Sequence, residues 1–196
     1  IKYIKIFLSQ SNLFDKEKMY LKEIVIDNAN FSLLRTELRL LSAFKNKKFS
    51  NRKIKINNSN IFFKDNLGEI ISIIKVYKTT LFFDDEKLSN VLNLKGEIFN
   101  IPFTFDFNNQ HDSTKYEKIN FRSKLLKLNI SNESITEKKI TSGKNNISFL
   151  KSKINTKFNV KEKLITFTSL KSKFNSSPIA YTGEISINPF DLGLKI

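Results

Sequence analysis

The chain is 196 residues long and carries a formal net charge of +15, from 34 Lys and Arg against 19 Asp and Glu. Its 40% hydrophobic content excludes a disordered tail and is enough for the core of one sizeable domain. Without a single Cys it has neither disulfides nor thiolate metal sites, and its best apolar run, Ile70 to Ile74, is far short of the ~20 residues of a membrane helix. Ile, Asn, Lys and Phe make up about half of the residues, the vocabulary of a very AT-rich coding sequence. Part of the Lys excess is therefore compositional.

The first element with a clear period is helical. Over Ser32 to Lys45, Leu33, Leu34, Leu38, Leu40, Leu41 and Phe44 fall on about half of the wheel, opposite Arg35, Arg39 and Ser42, with Ser32 as N-cap. This spacing predicts one short helix near residues 32 to 45, packed on a sheet or plugging its end. Beyond it the pattern is period-2 alternation broken by Asn, Lys, Ser and Asp turns, the mark of half-buried strands. Lys53 to Ile56 alternates, Asn57 to Asn60 reads as a turn, and Ile61 to Phe63 continues before a turn at Asp65 to Gly68. Glu69 to Val76 and Thr79 to Phe83 read as two strands, then Leu92 to Phe99 and Ile101 to Phe107 as a pair. In the last of these Ile101, Phe103, Phe105 and Phe107 share a face, and Pro102 belongs at a strand start or an edge.

The second half keeps the rhythm, with strands expected over 120–129, 146–151, 154–161, 163–170, 173–174, 179–187 and 189–196. The fold class is thus mainly β: an elongated, twisted antiparallel sheet of repeated hairpins with one short helix. It forms a single β-rich segment over residues 1–196, with possible sub-repeats 1–110 and 111–196. Since the chain has only 5 Gly and 3 Pro, Asn and Asp are expected to serve most turns that need positive φ. The chain begins at Ile1 without Met and stops at Ile196 within strand-like sequence, so it reads as a piece of a longer protein.

Residues for chemistry are scarce. His111 is the only His and sits in a polar turn, where a solvated bystander is the ordinary outcome. Asp84, Asp85 and Glu86 lack the spaced ligands of a calcium loop and read as a turn. There is no Gly-rich phosphate loop, no nucleophile-elbow motif and no paired carboxylates poised for acid–base work. We expect no enzyme activity, no metal and no cofactor.

The most specific signal is a self-match. Gly96-Glu97-Ile98-Phe99-Asn100-Ile101-Pro102-Phe103 aligns without a gap on Gly183-Glu184-Ile185-Ser186-Ile187-Asn188-Pro189-Phe190. One hairpin used twice is how extended sheets are assembled. Together with Ile24-Val25-Ile26-Asp27-Asn28-Ala29-Asn30-Phe31 and with Ile54 to Asp65, this pattern resembles the AsmA-like family of Gram-negative envelope proteins, over roughly residues 20–110 and 160–196. The resemblance implies a β-groove anchored in the inner membrane by a segment outside this chain. It would bind phospholipid acyl chains and pass them through the periplasm towards the outer membrane, with outer-membrane partner proteins possible. The inward set by alternation, which the resemblance implies would contact lipid, is Ile54, Ile56, Ile61, Phe63, Ile101, Phe103, Phe105, Phe107, Phe158, Ile185 and Ile187. Alternation alone leaves a closed sandwich, a purely structural envelope repeat, open beside the groove. A nucleic-acid module is the rival raised by the charge. Only four Arg, Lys spread over nearly every strand, and Phe alternating into one face weigh against it.

Overall fold

The computed structural model describes residues 1–8, 21–38, 46–111, 114–187 and 189–196. Their strands belong to one 16-stranded sheet, and the chain divides into two compact units, Ile1–Phe105 and Asp106–Ile196. The mainly-β expectation holds. The sheet is mixed, however, where a purely antiparallel one was expected, and the reason lies in the first unit.

That unit contains β1 (Tyr3–Leu8), β2 (Leu21–Asp27), β3 (Asn30–Leu34), β4 (Lys53–Lys64), β5 (Ile70–Asp84), β6 (Ser89–Ile98) and the start of β7 (Ile101–Gln110). Both β2 and β3 pair in parallel with β4, with Ile24 opposite Ile54, Ile26 opposite Ile56, Asn30 opposite Asn60 and Phe31 opposite Ile61. Every pair is 30 residues apart in the chain, and the two runs are near copies: Ile-Val-Ile-Asp-Asn-Ala-Asn-Phe over Ile-Lys-Ile-Asn-Asn-Ser-Asn-Ile. Like residues stack on like. Asn60 Nδ2 donates to Asn30 Oδ1 at 3.1 Å, and the Ala29 N–H donates to Ser59 Oγ at 3.0 Å.

Asn57 to Asn60 does not turn the chain. β4 continues through it as one strand, and the separate strands expected over 69–76 and 79–83 are the single strand β5. A bulge crosses the sheet instead. Asn28 and Asn58 take positive φ (53° and 45°), and Tyr77 is the extra residue between β5 and β6, where Val76 faces Gly96 and Lys78 faces Lys95. One added residue in the β2–β3 run, in β4 and in β5 shifts the alternation of each by one position, so their apolar side chains stay on one face past the jog while β6 runs through without an extra residue. Polar, turn-forming Asn supplies the left-handed geometry at low cost, which is why the run imitates a turn in the sequence.

The helix expected over residues 32 to 45 is described only at its edges, where its first residues are strand and 3₁₀ turn and Leu38 and Asn46 are helical. Ser32 to Leu34 belong to β3, and Arg35–Glu37 form a 3₁₀ turn in which the Leu34 N–H donates to Glu37 Oε2 at 2.8 Å. The rest of the helical span, residues 39–45, lies outside the described residues. From Asn46 the connection runs along the β5–β6 end of the sheet. There the buried Asn90 side chain accepts from the Phe49 N–H at 2.8 Å and donates to the Lys47 carbonyl at 2.7 Å, and the Phe83 N–H donates to the Ser50 carbonyl at 2.7 Å. Phe49 and Phe83 are both buried.

The second unit takes over within β7 and runs through β8 (Lys115–Ser123), β9 (Leu128–Glu137), β10 (Ile140–Phe149), β11 (Ser152–Lys161), β12 (Leu164–Ser169), β13 (Ser172–Phe174), β14 (Ser177–Ile179), β15 (Thr182–Ile187) and β16 (Phe190–Lys195). Consecutive strands from β8 to β12 pair antiparallel, β12 then pairs β15, and β15 pairs β16. The strand expected over 120–129 is broken by the turn from β8 to β9 at 124–127, with 120–123 ending β8 and 128–129 opening β9. Its Lys124 and Lys127 are as solvated as strand-face lysines would be, so alternation could not mark the break. Between β12 and β15 the chain makes an excursion, the β13–β14 hairpin, closed at its base by Ser169 and Tyr181. The Ser169 N–H donates to the Tyr181 carbonyl at 2.8 Å, and the Tyr181 N–H donates to Ser169 Oγ at 2.9 Å.

Asn does not carry most of the positive-φ positions as expected. Asn28, Asn58, Asn100 and Asn175 do so, but so do Lys127, Lys138, Lys139 and Lys171, with Leu88, Phe99, Leu150, Glu162 and Ser176. Two-residue loops such as Phe99-Asn100 and Lys138-Lys139, positive at both positions, have the handedness that matches strand twist. Long ladders on either side enforce that geometry on residues that would not choose it.

Candidate functional site

Strand register sorts the side chains of each unit onto two unlike faces. In the first unit Ile4 and Ile6 stand opposite Ile26 and Ile24, which stand opposite Ile56 and Ile54. Beyond them Ile54 meets Leu81 and Leu81 meets Leu92. Past the bulge the same face continues through Phe31, Ile61, Ile74 and Ile98, and through Leu33 and Phe63. The other face carries the ion pairs, Lys55 with Glu23 at 2.7 Å and Lys75 with Glu97 at 2.7 Å, beside the apolar pairs Phe62–Ile73 and Phe82–Val91. Glu97 also accepts from the Tyr77 hydroxyl. Hydrogen bonds from Lys75 and Tyr77 hold the Glu97 carboxyl below its ordinary range, and the same carboxylate raises both partners.

The second unit repeats the division. Phe121, Ile130, Ile147 and Ile154 are opposite one another in turn, as are Phe158 and Phe167, and Val160, Ile165, Ile185 and Leu192. The opposite face pairs Lys118 with Glu133 at 2.6 Å and sets Lys144 beside Lys157, followed by Thr168 and Thr182. Glu117, buried and opposite Ser134, is the charged exception on the apolar side. Among the described residues every strand belongs to the one sheet, and none forms a second sheet.

Large rings fold down over glycines on these faces. Gly143 lies under the Phe158 ring and Gly183 under Phe167; a Cβ on Gly143 or Gly183 would sit 2.5 Å from the nearest ring carbon. Where glycine omits its side chain, the neighbouring aromatic fills the space and the strands draw close. Phe103 packs over Gly96 in the same way, its Cζ 3.5 Å from where a Cβ would be.

The expected lipid-contacting residues divide accordingly. Ile54, Ile56, Ile61 and Phe63 are half-buried on the apolar face of the first unit; simple alternation would part the first two from the last two, and the bulge reunites them. Ile101, Phe103, Phe105 and Phe107 alternate in β7 against exposed Pro102, Thr104 and Asp106. Of these, Phe103 and Phe107 are 9% and 8% exposed, so they are packing residues with little surface left for a ligand. Phe158 and Ile185 line a cavity of about 630 Å³. Ile187, at 54% exposure, lies outside that lining.

The cavity belongs to the second unit. Its wall is built by β11, β12, β15 and β16 with Ile179 and Tyr181 from the excursion. The Phe167 and Tyr181 rings stand 6.3 Å apart at 52°, and the Tyr181 hydroxyl shares a hydrogen bond with Thr156 Oγ1. Asn145, Thr156 and the Tyr181 hydroxyl are the polar groups beside an otherwise aliphatic and aromatic lining. Among the lining residues that sequence reasoning missed are Val160, Ile165, Phe167, Tyr181 and Leu194. The first three were legible, since Phe158 and Val160, and Ile165 and Phe167, alternate in two paired strands; Tyr181 is placed only by the excursion.

The aligned Gly-Glu-Ile runs agree in structure over Gly96 and Gly183 and then part. β6 ends at Ile98 and turns at Phe99-Asn100, whereas β15 continues to Ile187, which faces Phe190. Phe103 is therefore buried over its glycine, while the aligned Phe190 is exposed. The acidic trio is a turn: Asp84 Oδ1 accepts from the N–H groups of Glu86 and Lys87, both at 3.1 Å, and Asp85 accepts from Asn51. Among the described residues no group of three His, Cys, Asp or Glu could hold a metal ion.

Comparison with family models, with curated proteins and with solved structures finds no match for this chain.

Proposed function

We propose that this chain is a non-enzymatic lipid-binding segment that holds phospholipid acyl chains against the apolar side of its sheet. We further propose that it belongs to an AsmA-like envelope protein passing phospholipid through the periplasm, tethered to the inner membrane by a segment outside this chain. The observation that carries the reading is an apolar face left without a second sheet, opening in the second unit into the cavity of about 630 Å³. Exposed apolar surface of that extent marks a binding surface. At roughly 30 Å³ for each small group, the volume of a liquid water, the cavity takes about twenty methylenes, one ordinary acyl chain. Even ten methylenes removed from water contribute about 8 kcal/mol. Backbone polar groups are spent in strand pairing, so the surface offers tails only side chains, and headgroups stay in solvent, beyond the exposed lining residues Leu194 and Ile196.

The test is lipid extraction from the purified chain with mass spectrometry, followed by titration with a fluorescent phospholipid. Leu194 lines the cavity yet is half exposed, so Leu194→Asp tolerates solvent while placing a carboxylate among the tails. Saturable binding that weakens tenfold or more in Leu194→Asp, with unchanged circular dichroism, is the expected result. No co-purifying lipid and no saturable binding would leave a structural envelope repeat.

A further inference from the structure

One end of the second unit differs in chemistry from the rest. The β8–β9 turn at 124–127, the β10–β11 turn at 150–151 and the tip of the β13–β14 hairpin come together there. The Leu150 N–H meets the Lys127 carbonyl at 3.4 Å, and the Asn175 N–H donates to Ser152 Oγ at 2.9 Å. Lys127, Phe149, Leu150, Lys151 and Phe174 line a second hollow of about 560 Å³. Leu125, Leu150 and Phe174 project with 64%, 65% and 63% of their surface exposed. Lys124, Lys127 and Lys151 lie in these turns, Lys153 pairs with Lys173 behind the hairpin tip, Lys171 begins the hairpin, and no Asp or Glu occurs in residues 118–132, 145–161 or 164–183. The opposite end of the same strands is mixed in charge, with Glu137, Lys138, Lys139, Glu162 and Lys163.

We infer that this end is a docking tip for the surface of a bilayer containing anionic phospholipid. Exposed leucines and phenylalanines ringed by unopposed lysines match such a surface on both counts: the apolar side chains enter the acyl boundary and the ammonium groups meet lipid phosphates. Each Lys near an anionic surface raises partitioning about fivefold. Nucleic acid would satisfy the lysines but leave Leu125, Leu126 and Leu150 facing water, because a leucine offers a base no stacking plane. The tip is separate from the acyl-chain cavity, and Leu194→Asp leaves it untouched.

The experiment is co-sedimentation of the chain with vesicles of phosphatidylcholine containing phosphatidylglycerol, against pure phosphatidylcholine. Binding should require the anionic lipid and fall with salt. Lys151→Gln with Lys171→Gln should lower partitioning about 25-fold; Leu150→Ser with Phe174→Ser should lower it at constant charge. Lys138→Gln with Lys139→Gln, at the mixed end, should change it little. Equal losses at both ends, or indifference to Leu150 and Phe174, would overturn the inference. So would a duplex oligonucleotide that binds the chain in competition with the vesicles and ignores the apolar pair. A second readout does not depend on those variants: the chain has no Trp, so Leu125→Trp reports the tip alone. Its emission should shift to the blue on anionic vesicles, and an unshifted spectrum refutes docking.

Discussion

Adding a single methyl group to Gly183 tests the glycine-and-ring packing on which the cavity wall rests. In Gly183→Ala the new Cβ would stand 2.5 Å from Phe167 Cζ and 3.0 Å from Cε2, with the Gly193 carbonyl oxygen against it on the other side. Carbon contacts are comfortable at about 3.5–4.0 Å, so the ring must leave its seat, and the carbonyl, held in the β15–β16 ladder, has little room to follow. Overpacking of this kind costs about 1–3 kcal/mol. Gly193 is the internal control, in the paired strand of the same hairpin. A Cβ there meets nothing closer than Glu184 Cγ at 3.4 Å, so Gly193→Ala should be neutral or stabilise by about 0.4–1 kcal/mol through the unfolded chain. The pair should therefore differ by roughly 1.5–4 kcal/mol, or about 1 M in urea midpoint at an m-value of 1–3 kcal/mol/M. Circular dichroism during urea unfolding reads this directly. Adding Phe167→Ala to Gly183→Ala should recover part of the loss as a coupling energy. Equal midpoints for the two alanine variants would show that the ring does not rest on Gly183 and that the cavity wall is wrongly described.

Three further outcomes follow from the packing, the turns and the charged face. Phe103→Ala should cost about 3 kcal/mol or more, read as a lower urea midpoint, because the ring is buried over Gly96; exposed Phe190→Ala should stay within about 0.5 kcal/mol. Phe99→Gly should raise the midpoint by up to about 1 kcal/mol, because Phe at φ 50° pays a left-handed cost that glycine avoids. In Glu97→Gln the Tyr77 phenol should titrate at lower pH than in the parent, seen as an earlier rise in tyrosinate absorbance, since the carboxylate is what raises it. The Glu97 contribution to stability is present above the ordinary carboxylate range and is lost as pH falls through its lowered value; a parent and variant with the same acid-unfolding profile would contradict the pairing.

Much of the molecule was written locally. Period-2 alternation of Ile, Phe and Leu against Lys, Asn and Thr determined that these are strands with one apolar and one polar side, because side chains alternate across any pleated strand whatever its partners. Ile101 to Phe107 and Ile154 to Lys161 were legible for that reason. Partnership was not. The parallel stacking of Ile24 on Ile54 depends on a 30-residue repeat visible as a self-match, yet only pairing in space turns Asn28 and Asn58 into a bulge and leaves Ile56 and Ile61 on the same face. The helical spacing of Leu33 and Leu34 lost to the β3–β4 ladder, since a short amphipathic period is weaker than a row of backbone hydrogen bonds beside an existing strand. The tertiary structure alone decided that Phe103 and Phe107 are packing residues, that Phe158 joins Phe167 and Tyr181 around a cavity, and that lysines scattered along the chain collect at one end of the second unit. Local alternation assigns a side chain to a face; what that face meets depends on contacts between residues far apart in the chain.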